Sequence, residues 1–212
     1  MLCIDSSNNT FNARVSIASI KLDGQSCGVA TIQDFTTIQK EIAGHEINSY
    51  KDTLTGLYNR RYLEKVIEEN NRVLSSWENI GVIFIDLNKF KPINDKYGHE
   101  VGDSVLVTIS KRIESIIRLA DIVFRIGGDE FLVFINLTSV SNRNEAINTI
   151  ANNIYRCVTL PIETENFNES VGLSMGCGLY PDQESNIKAL ISLADKAMYS
   201  AKDKGKKIEY AK

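Results

Sequence analysis

Arg125-Ile126-Gly127-Gly128-Asp129-Glu130-Phe131 sets two glycines and two adjacent carboxylates between apolar runs. Ile122-Val123-Phe124 stand before the glycines, and Phe131-Leu132-Val133-Phe134-Ile135 follow the carboxylates. Two β-type runs joined at Gly-Gly predict a hairpin, because glycine accepts the positive φ that a tight turn demands. Side chains alternate across a strand, so Asp129 and Glu130 begin on opposite faces unless the turn twists one of them round. Two carboxylates at a tight turn suit a divalent cation and a phosphate better than a core. A solvated hairpin tip is the plainer reading of the same residues.

A second acidic segment shifts the balance toward chemistry. Gly81-Val82-Ile83-Phe84-Ile85-Asp86-Leu87-Asn88 reads as a buried strand ending in Asp86. Phe90-Lys91-Pro92-Ile93-Asn94-Asp95, Gly98-His99 and Gly102-Asp103 follow, ahead of a long amphipathic helix. An Asp closing one strand and an Asp-Glu pair on a neighbouring hairpin can converge on one or two hard cations. Mg²⁺ suits such a set, since it takes few carboxylates and completes its octahedron with water and substrate phosphate. No Gly-x-x-x-x-Gly-Lys-Ser/Thr loop occurs in the chain, which excludes a Walker-type nucleotide site.

These segments, in this order, resemble the GGDEF family, the diguanylate cyclases that make cyclic di-GMP from GTP. The resemblance begins at Asp52-Thr53-Leu54-Thr55-Gly56-Leu57-Tyr58-Asn59-Arg60-Arg61 and passes through Asp86 to Asp95, Tyr97-Gly98-His99 and Gly102-Asp103. It continues through Arg118-Leu119-Ala120-Asp121 and Gly127-Gly128-Asp129-Glu130-Phe131, then Ser174-Met175-Gly176. It closes with Ala194-Asp195-Lys196-Ala197-Met198-Tyr199 and Ser200 to Lys206. It implies that two GTP molecules are joined twice, a ribose 3′-hydroxyl attacking an α-phosphate each time with pyrophosphate leaving. Asp86, the carbonyl of Leu87, Asp129 and Glu130 match the family's metal positions for Mg²⁺, with Mn²⁺ as a substitute. The same resemblance implies that Asp129 and Glu130 are the catalytic pair, with Asp129 as the base or as the ligand that lowers the hydroxyl's pKa.

Substrate contacts follow from the same resemblance. Asn94 and Asp103 match the guanine contacts, where a carboxylate accepts from N1–H and the N2 amino group and a carboxamide can serve both donor and acceptor atoms. Phe90 and Lys91 match the ribose and phosphate contacts, and His99 orders the loop beside them. Lys202 and Lys206, one helical turn apart, match the phosphate-binding basic pair. Lysine at 206 stands where arginine is usual, so a bidentate clamp becomes a point charge. Lys207 stands where asparagine is common, and Asn88 replaces the more usual second Asp. Arg118 and Asp121, with Arg125, match an inhibitory site for the cyclic di-GMP product, and catalysis implies a homodimer. The competing reading is a catalytically weak module that binds GTP or cyclic di-GMP and signals without turnover. Such modules usually lose a signature carboxylate, and Asp86, Asp129 and Glu130 are all present.

Composition is compatible with this and excludes other classes. At 43% apolar and 24% charged residues the chain has material for a core, and its net charge of −3 offers no general attraction to nucleic acid. Cys3, Cys27, Cys157 and Cys177 lack Cys-x-x-Cys spacing and read as free thiols of a reducing, cytoplasmic setting. No apolar run approaches the ~20 residues of a membrane span, so no membrane contact is expected.

The expected architecture is α+β: a palm-like, mainly antiparallel sheet with helices on its faces, spanning 52–212. Helices are expected over 58–77, 98–119, 141–158 and 186–203, with strands over 80–87, 121–126, 130–136, 170–179 and 207–210. Ahead of it, residues 13–20 and 26–34 read as two strands joined across Asp23-Gly24, and 36–51 as a connecting helix. Gly28 to Thr36 resembles the closing strands of a PAS sensor domain, so that 1–35 would be the end of such a domain.

Overall fold

The computed structural model describes residues 2–4, 10–22, 25–34, 49–68, 74–164 and 167–211. The chain divides into two compact units, Met1–Ser49 and Tyr50–Lys212. In the first, β1 (Leu2–Ile4), β2 (Thr10–Leu22) and β3 (Gln25–Asp34) form an antiparallel sheet in that order. The β2–β3 ladder runs from Ala13↔Asp34 to Leu22↔Gln25, as the sequence predicts, while β1 was not anticipated. Of the connecting helix expected over 36–51, residues 36–48 lie outside the described residues, and Lys51 is already in an isolated bridge to Tyr58.

The second unit is built on six strands in the order β11-β10-β5-β7-β6-β4. In chain order these are β4 (Tyr58–Asn59), β5 (Ile80–Leu87), β6 (Ile122–Gly127), β7 (Glu130–Asn136), β10 (Leu173–Tyr180) and β11 (Ile208–Tyr210). The central pairings are antiparallel, and only the edge pairs β4–β6 and β10–β11 are parallel. Five α-helices accompany them among the described residues: α1 (Arg60–Ile67), α2 (Phe90–Tyr97), α3 (His99–Ile116), α4 (Arg143–Val158) and α5 (Ile187–Asp203). A small hairpin, β8 (Ile162–Thr164) and β9 (Phe167–Glu169), stands apart from the main sheet.

Alternation along β5 divides the core in two. Ile83, Ile85 and Leu87 pack with α3 and α4 through Ile109, Ile113, Ile147 and Ile154. Val82 and Phe84 point the other way, into a cluster with α1 and α5 that includes Val66, Leu190, Ala194 and Met198. Asp86 shares the parity of Val82 and Phe84, and Glu130 that of Leu132 and Phe134, so both carboxylates emerge on the α5 side. On β10 the residues facing α5 include Gly176, where a Cβ would lie 1.8 Å from the Ala194 carbonyl oxygen. A side chain there would keep α5 off the sheet.

Several boundaries differ from expectation for identifiable reasons. Among the described residues of the helix expected over 58–77, the α-helical part is α1, capped by Asn59, whose Oδ1 accepts from the Tyr62 amide at 3.1 Å, and Leu74–Ser76 form a 3₁₀ turn. α2 was not among the expected helices; its Pro92 falls in the first turn, where the missing N–H is not needed. Gly98, at φ 87°, ends α2 by donating to the Asn94 carbonyl at 2.9 Å. α3 stops at Ile116, short of the expected 119, where the Arg118 amide donates to Asp121 Oδ2 at 2.9 Å. Cys157 and Cys177 are free thiols, and burial pushes that of Cys177 up to about 12.

Candidate active site

The site gathers where β5 ends, the β6–β7 hairpin turns and α5 finishes. Across the sheet Asp86 is the register partner of Glu130 on one side and Ser174 on the other. The turn itself is Gly128-Asp129, with Gly127 paired to Glu130 and Gly128 at φ 54°, a conformation that glycine holds without strain. The Leu87 amide donates to the Asp129 carbonyl at 3.2 Å, tying the turn to the strand end. From α5, Lys202 reaches Asp86 Oδ1 at 2.6 Å.

Negative charge is concentrated here. Burial raises the Asp129 carboxyl above its ordinary value, and the charge on Asp86 raises it further. Glu130 is raised by burial, then by Asp195, Asp86 and Asp129, with Lys202 opposing. Asp195 is itself raised, by burial and then Asp86, with Lys196 opposing. Asp195 was quoted in the sequence but not assigned to the site. Its spacing of seven residues from Lys202, two helical turns on one face of α5, is the signal that could have found it.

Among the described residues no three His, Cys, Asp or Glu side chains form a ready-made metal cage. The donor chemistry nevertheless fits a hard cation: oxygens alone, with mutually repelling carboxyls and the Lys202 ammonium already standing against Asp86 as a cation.

A second group flanks this one. Phe90 is buried, and Asn94 is half-buried with its Oδ1 over α3. At Gly102 a Cβ would meet that Oδ1 at 1.8 Å, so glycine there is what lets the carboxamide lie across the helix. Asp103, the next residue, is exposed, as are Lys91 and His99. Lys202 and Lys206 line one cavity of about 420 Å³ with Asn88 and Ser174, whose hydroxyl donates to Asn88 Oδ1 at 3.0 Å.

Arg118 and Asp121 line a separate cavity of about 380 Å³ with Lys51, Tyr58 and Glu114. Both Asp121 oxygens are engaged, Oδ2 by the Arg118 amide and Oδ1 by the Asn136 amide at 3.0 Å. Arg125, grouped with them by the resemblance, is not among the residues lining that cavity. Its guanidinium donates to the Gly128 carbonyl at 2.9 and 3.1 Å and pairs with Asp52 at 2.9 Å. The physical reason is its position at the root of the hairpin, within reach of both the turn and the Asp52–Leu57 loop. Asp52 also accepts from the Thr55 amide and hydroxyl at 2.9 and 2.7 Å. Burial alone would raise its carboxyl, and these bonds together with Arg125 outweigh burial and lower it.

Comparison with known proteins agrees with this geometry. Residues 49–208 match the family described as diguanylate cyclase, GGDEF domain, and the chain belongs to that family. It is 39% identical over 167 residues to the diguanylate cyclase TpbB of Pseudomonas aeruginosa (strain UCBPP-PA14), covering 78% of this chain. The matched part spans 38% of TpbB's own length. A solved structure of TpbB (or YfiN) from Pseudomonas aeruginosa PAO1, comprising only the GGDEF domain, superposes with a TM-score of 0.68 at 37% identity, covering 76% of this chain and 94% of that one. The coiled coil and GGDEF domain of DgcB from Caulobacter crescentus, solved with c-di-GMP, has a TM-score of 0.72 at 21% identity, covering 82% and 92%, which speaks to the fold alone. Among the described residues no helix is long and apolar enough to cross a membrane.

Proposed function

We propose that this chain condenses two GTP into cyclic di-GMP, releasing two pyrophosphates, in a Mg²⁺-dependent reaction that Mn²⁺ can also support. The observation that carries this is the convergence of Asp86, Asp129 and Glu130 at one strand end, with Lys202 facing them from α5. Asp86, the Leu87 carbonyl, Asp129 and Glu130 would hold the metal, which when bound lowers the pKa of the attacking hydroxyl and stabilises charge on the departing oxygen. Lys202 and Lys206 neutralise phosphate charge, while Phe90, Lys91 and His99 shape the approach to ribose and phosphate. Asn94 and Asp103 read the guanine edge. Adenine would leave Asp103 facing the wrong hydrogen-bond pattern, which is how unpaired polar groups produce selectivity.

One site holds one GTP, so two domains face each other about a two-fold axis and the active species is a homodimer. The product returns to the cavity at Arg118 and Asp121 as a feedback inhibitor. Arg125, which grips the hairpin turn and pairs with Asp52, contributes to the same product site. Residues 1–35 belong to a PAS-like sensor segment and 36–51 to the link between it and the GGDEF domain, and the supply of GTP places the protein in the cytoplasm. The decisive experiment is incubation with GTP and Mg²⁺ over a wide range of protein concentrations, with products identified by mass spectrometry. Cyclic di-GMP is expected, with specific activity rising with concentration. Intact GTP at every concentration, including forced dimers, would refute the reading.

A further inference from the structure

Asn94 and Asp103 stand on two different helices, α2 and α3, joined by a single residue. That residue is Gly98, with positive φ and open space where a Cβ would stand. A joint with no side chain to wedge it does not by itself fix the angle between the helices. Phe90, Asn94 and Tyr97 are spaced i, i+4 and i+7, along one face of α2. The near end of that face is seated: Phe90 is buried, and the Asn94 carboxamide lies across α3 at Gly102, one residue before Asp103. What holds the far end, at Tyr97, comes from outside both helices.

The β8–β9 hairpin supplies it. On β9, Phe167 is 3% exposed and meets the Tyr97 ring edge-on, with centroids 5.3 Å apart and planes at 90°. Two residues further, Glu169 accepts from the Tyr97 hydroxyl and from Lys96 Nζ, the latter at 3.2 Å. The same ammonium lies over the Tyr97 ring, 4.3 Å from its centroid. The chain leading into β8 is fastened to α3, where the Arg112 guanidinium donates to the carbonyls of Val158, Leu160 and Pro161 at 3.0, 2.6 and 2.7 Å. Ile162 of β8 is buried in the core cluster that holds Ile109 and Ile113 of α3. One end of the hairpin thus belongs to α3 and the other grips the end of α2. The bonds to Glu169 are exposed and contribute little. The buried ring contact contributes most.

We infer that the β8–β9 hairpin is a brace for base recognition, with Phe167 and Glu169 as positioning residues that hold α2 against α3 so that Asn94 and Asp103 meet one guanine edge. The inference rests on the function proposed above and deepens it at the guanine contacts. The brace governs how tightly the base is held and not how the phosphates are held, because Lys202 and Lys206 come from the end of α5 and the turn after it.

The test is calorimetric titration of the whole chain, in Mg²⁺, with two probes. The first is 3′-deoxy-GTP, which keeps the base and lacks the attacking hydroxyl, so that it binds without turnover. The second is inorganic tripolyphosphate, which keeps the phosphates and lacks the base. Phe167→Leu retains an apolar side chain and removes the ring. It should weaken 3′-deoxy-GTP about fivefold, the scale of one edge-to-face ring contact, and leave tripolyphosphate unchanged. Glu169→Gln should show a smaller loss of the same kind. In turnover, Phe167→Leu should raise the KM for GTP and leave kcat nearly unchanged. Val66→Ala, a core change on α1, loosens the fold elsewhere and should leave both affinities unchanged. Melting curves establish that each variant is folded. No binding of 3′-deoxy-GTP by the wild type, wild-type affinity in Phe167→Leu, an equal loss for tripolyphosphate, or an equal loss in Val66→Ala would overturn the inference. Phe167-dependent binding of 3′-deoxy-GTP in a chain that forms no cyclic di-GMP would support the brace and refute the activity. Cyclic di-GMP synthesis with unchanged nucleotide affinity in Phe167→Leu would refute the brace and leave the activity standing.

Discussion

Replacing Gly176 by alanine tests how closely α5 must lie on the sheet. The added Cβ would stand 1.8 Å from the Ala194 carbonyl oxygen and 2.4 Å from the Met198 amide nitrogen, both backbone atoms of α5. Real Cβ contacts essentially never fall below 3.0 Å, so the helix must retreat by at least 1.2 Å, the difference between 3.0 and 1.8 Å. Overpacking of this kind costs ~1–3 kcal/mol, and a clash with backbone on both counts belongs at about 3 kcal/mol. Less than about 1 kcal/mol returns through the reduced freedom of the unfolded chain. For a unit of this size a loss of 2–3 kcal/mol lowers Tm by roughly 4–12 °C. Gly178 offers the internal comparison. There the nearest atom is Leu190 Cδ1 at 2.7 Å, the rotatable end of a side chain, so Gly178→Ala should cost only about 1 kcal/mol. Scanning calorimetry on both variants decides the matter. Gly176→Ala melting within about 2 °C of wild type, or no lower than Gly178→Ala, would refute the close-approach argument. Because the same helix carries Lys202 to Asp86, the stable fraction of Gly176→Ala should also turn over GTP more slowly.

Three other outcomes are expected. Arg125→Ala removes a mostly buried pair with Asp52 and the grip on Gly128, costing about 2 kcal/mol and lowering kcat more than it raises the KM for GTP; stability near pH 7 should fall while stability below the ordinary carboxylate range changes little, because the lowered Asp52 carboxyl contributes above its unfolded pKa and loses that contribution as pH falls through its folded one. Asp129→Asn should abolish cyclic di-GMP synthesis yet raise Tm in chelator at neutral pH, since a carboxyl whose folded pKa is raised is destabilising once pH exceeds that value; an unchanged or lower Tm would contradict the charge crowding. Arg118→Ala should spare initial turnover and remove inhibition by added cyclic di-GMP, measured as product formed over time, whereas persistent inhibition would place the product elsewhere.

What the sequence revealed and what it concealed follow from the range of the forces involved. Strands β5 and β7 were legible because uninterrupted apolar runs of that length have few alternatives, and their registry brings Asp86 beside Glu130. α2 is only eight residues long and starts from a left-handed Lys89, a backbone choice that apolar periodicity does not reveal. The β8–β9 hairpin has strands of three residues each, too short for alternation to declare itself; Phe167 is secured by packing on Tyr97, a contact across 70 residues at 5.3 Å. Of the candidate site, the ordered motifs named Asp86, Asp129, Glu130 and Lys202, which the structure gathers at one strand end. Arg125 was joined to Arg118 and Asp121 by the resemblance, and its contact with Asp52, 73 positions away, was not legible in the sequence. Asp195 escaped because its part is electrostatic and emerges only when α5 is laid across the sheet.

The strand order bears on how the protein is made. β5 lies at the centre of the sheet, yet it is translated well before β10, which covers one of its edges. From Leu87 to Leu173 the ribosome adds 173 − 87 = 86 residues. At ordinary elongation rates of 5–20 residues per second that is an interval of about 4–17 s. β7 arrives within it and closes one edge, leaving the other as a row of unpaired amides and carbonyls on an almost wholly apolar strand. During those seconds the nascent chain is a template for any other β-strand that meets it, including the same segment on a neighbouring ribosome. Products truncated before Leu173 keep that edge bare indefinitely and should accumulate as aggregates, however intact their hairpin and its carboxylates.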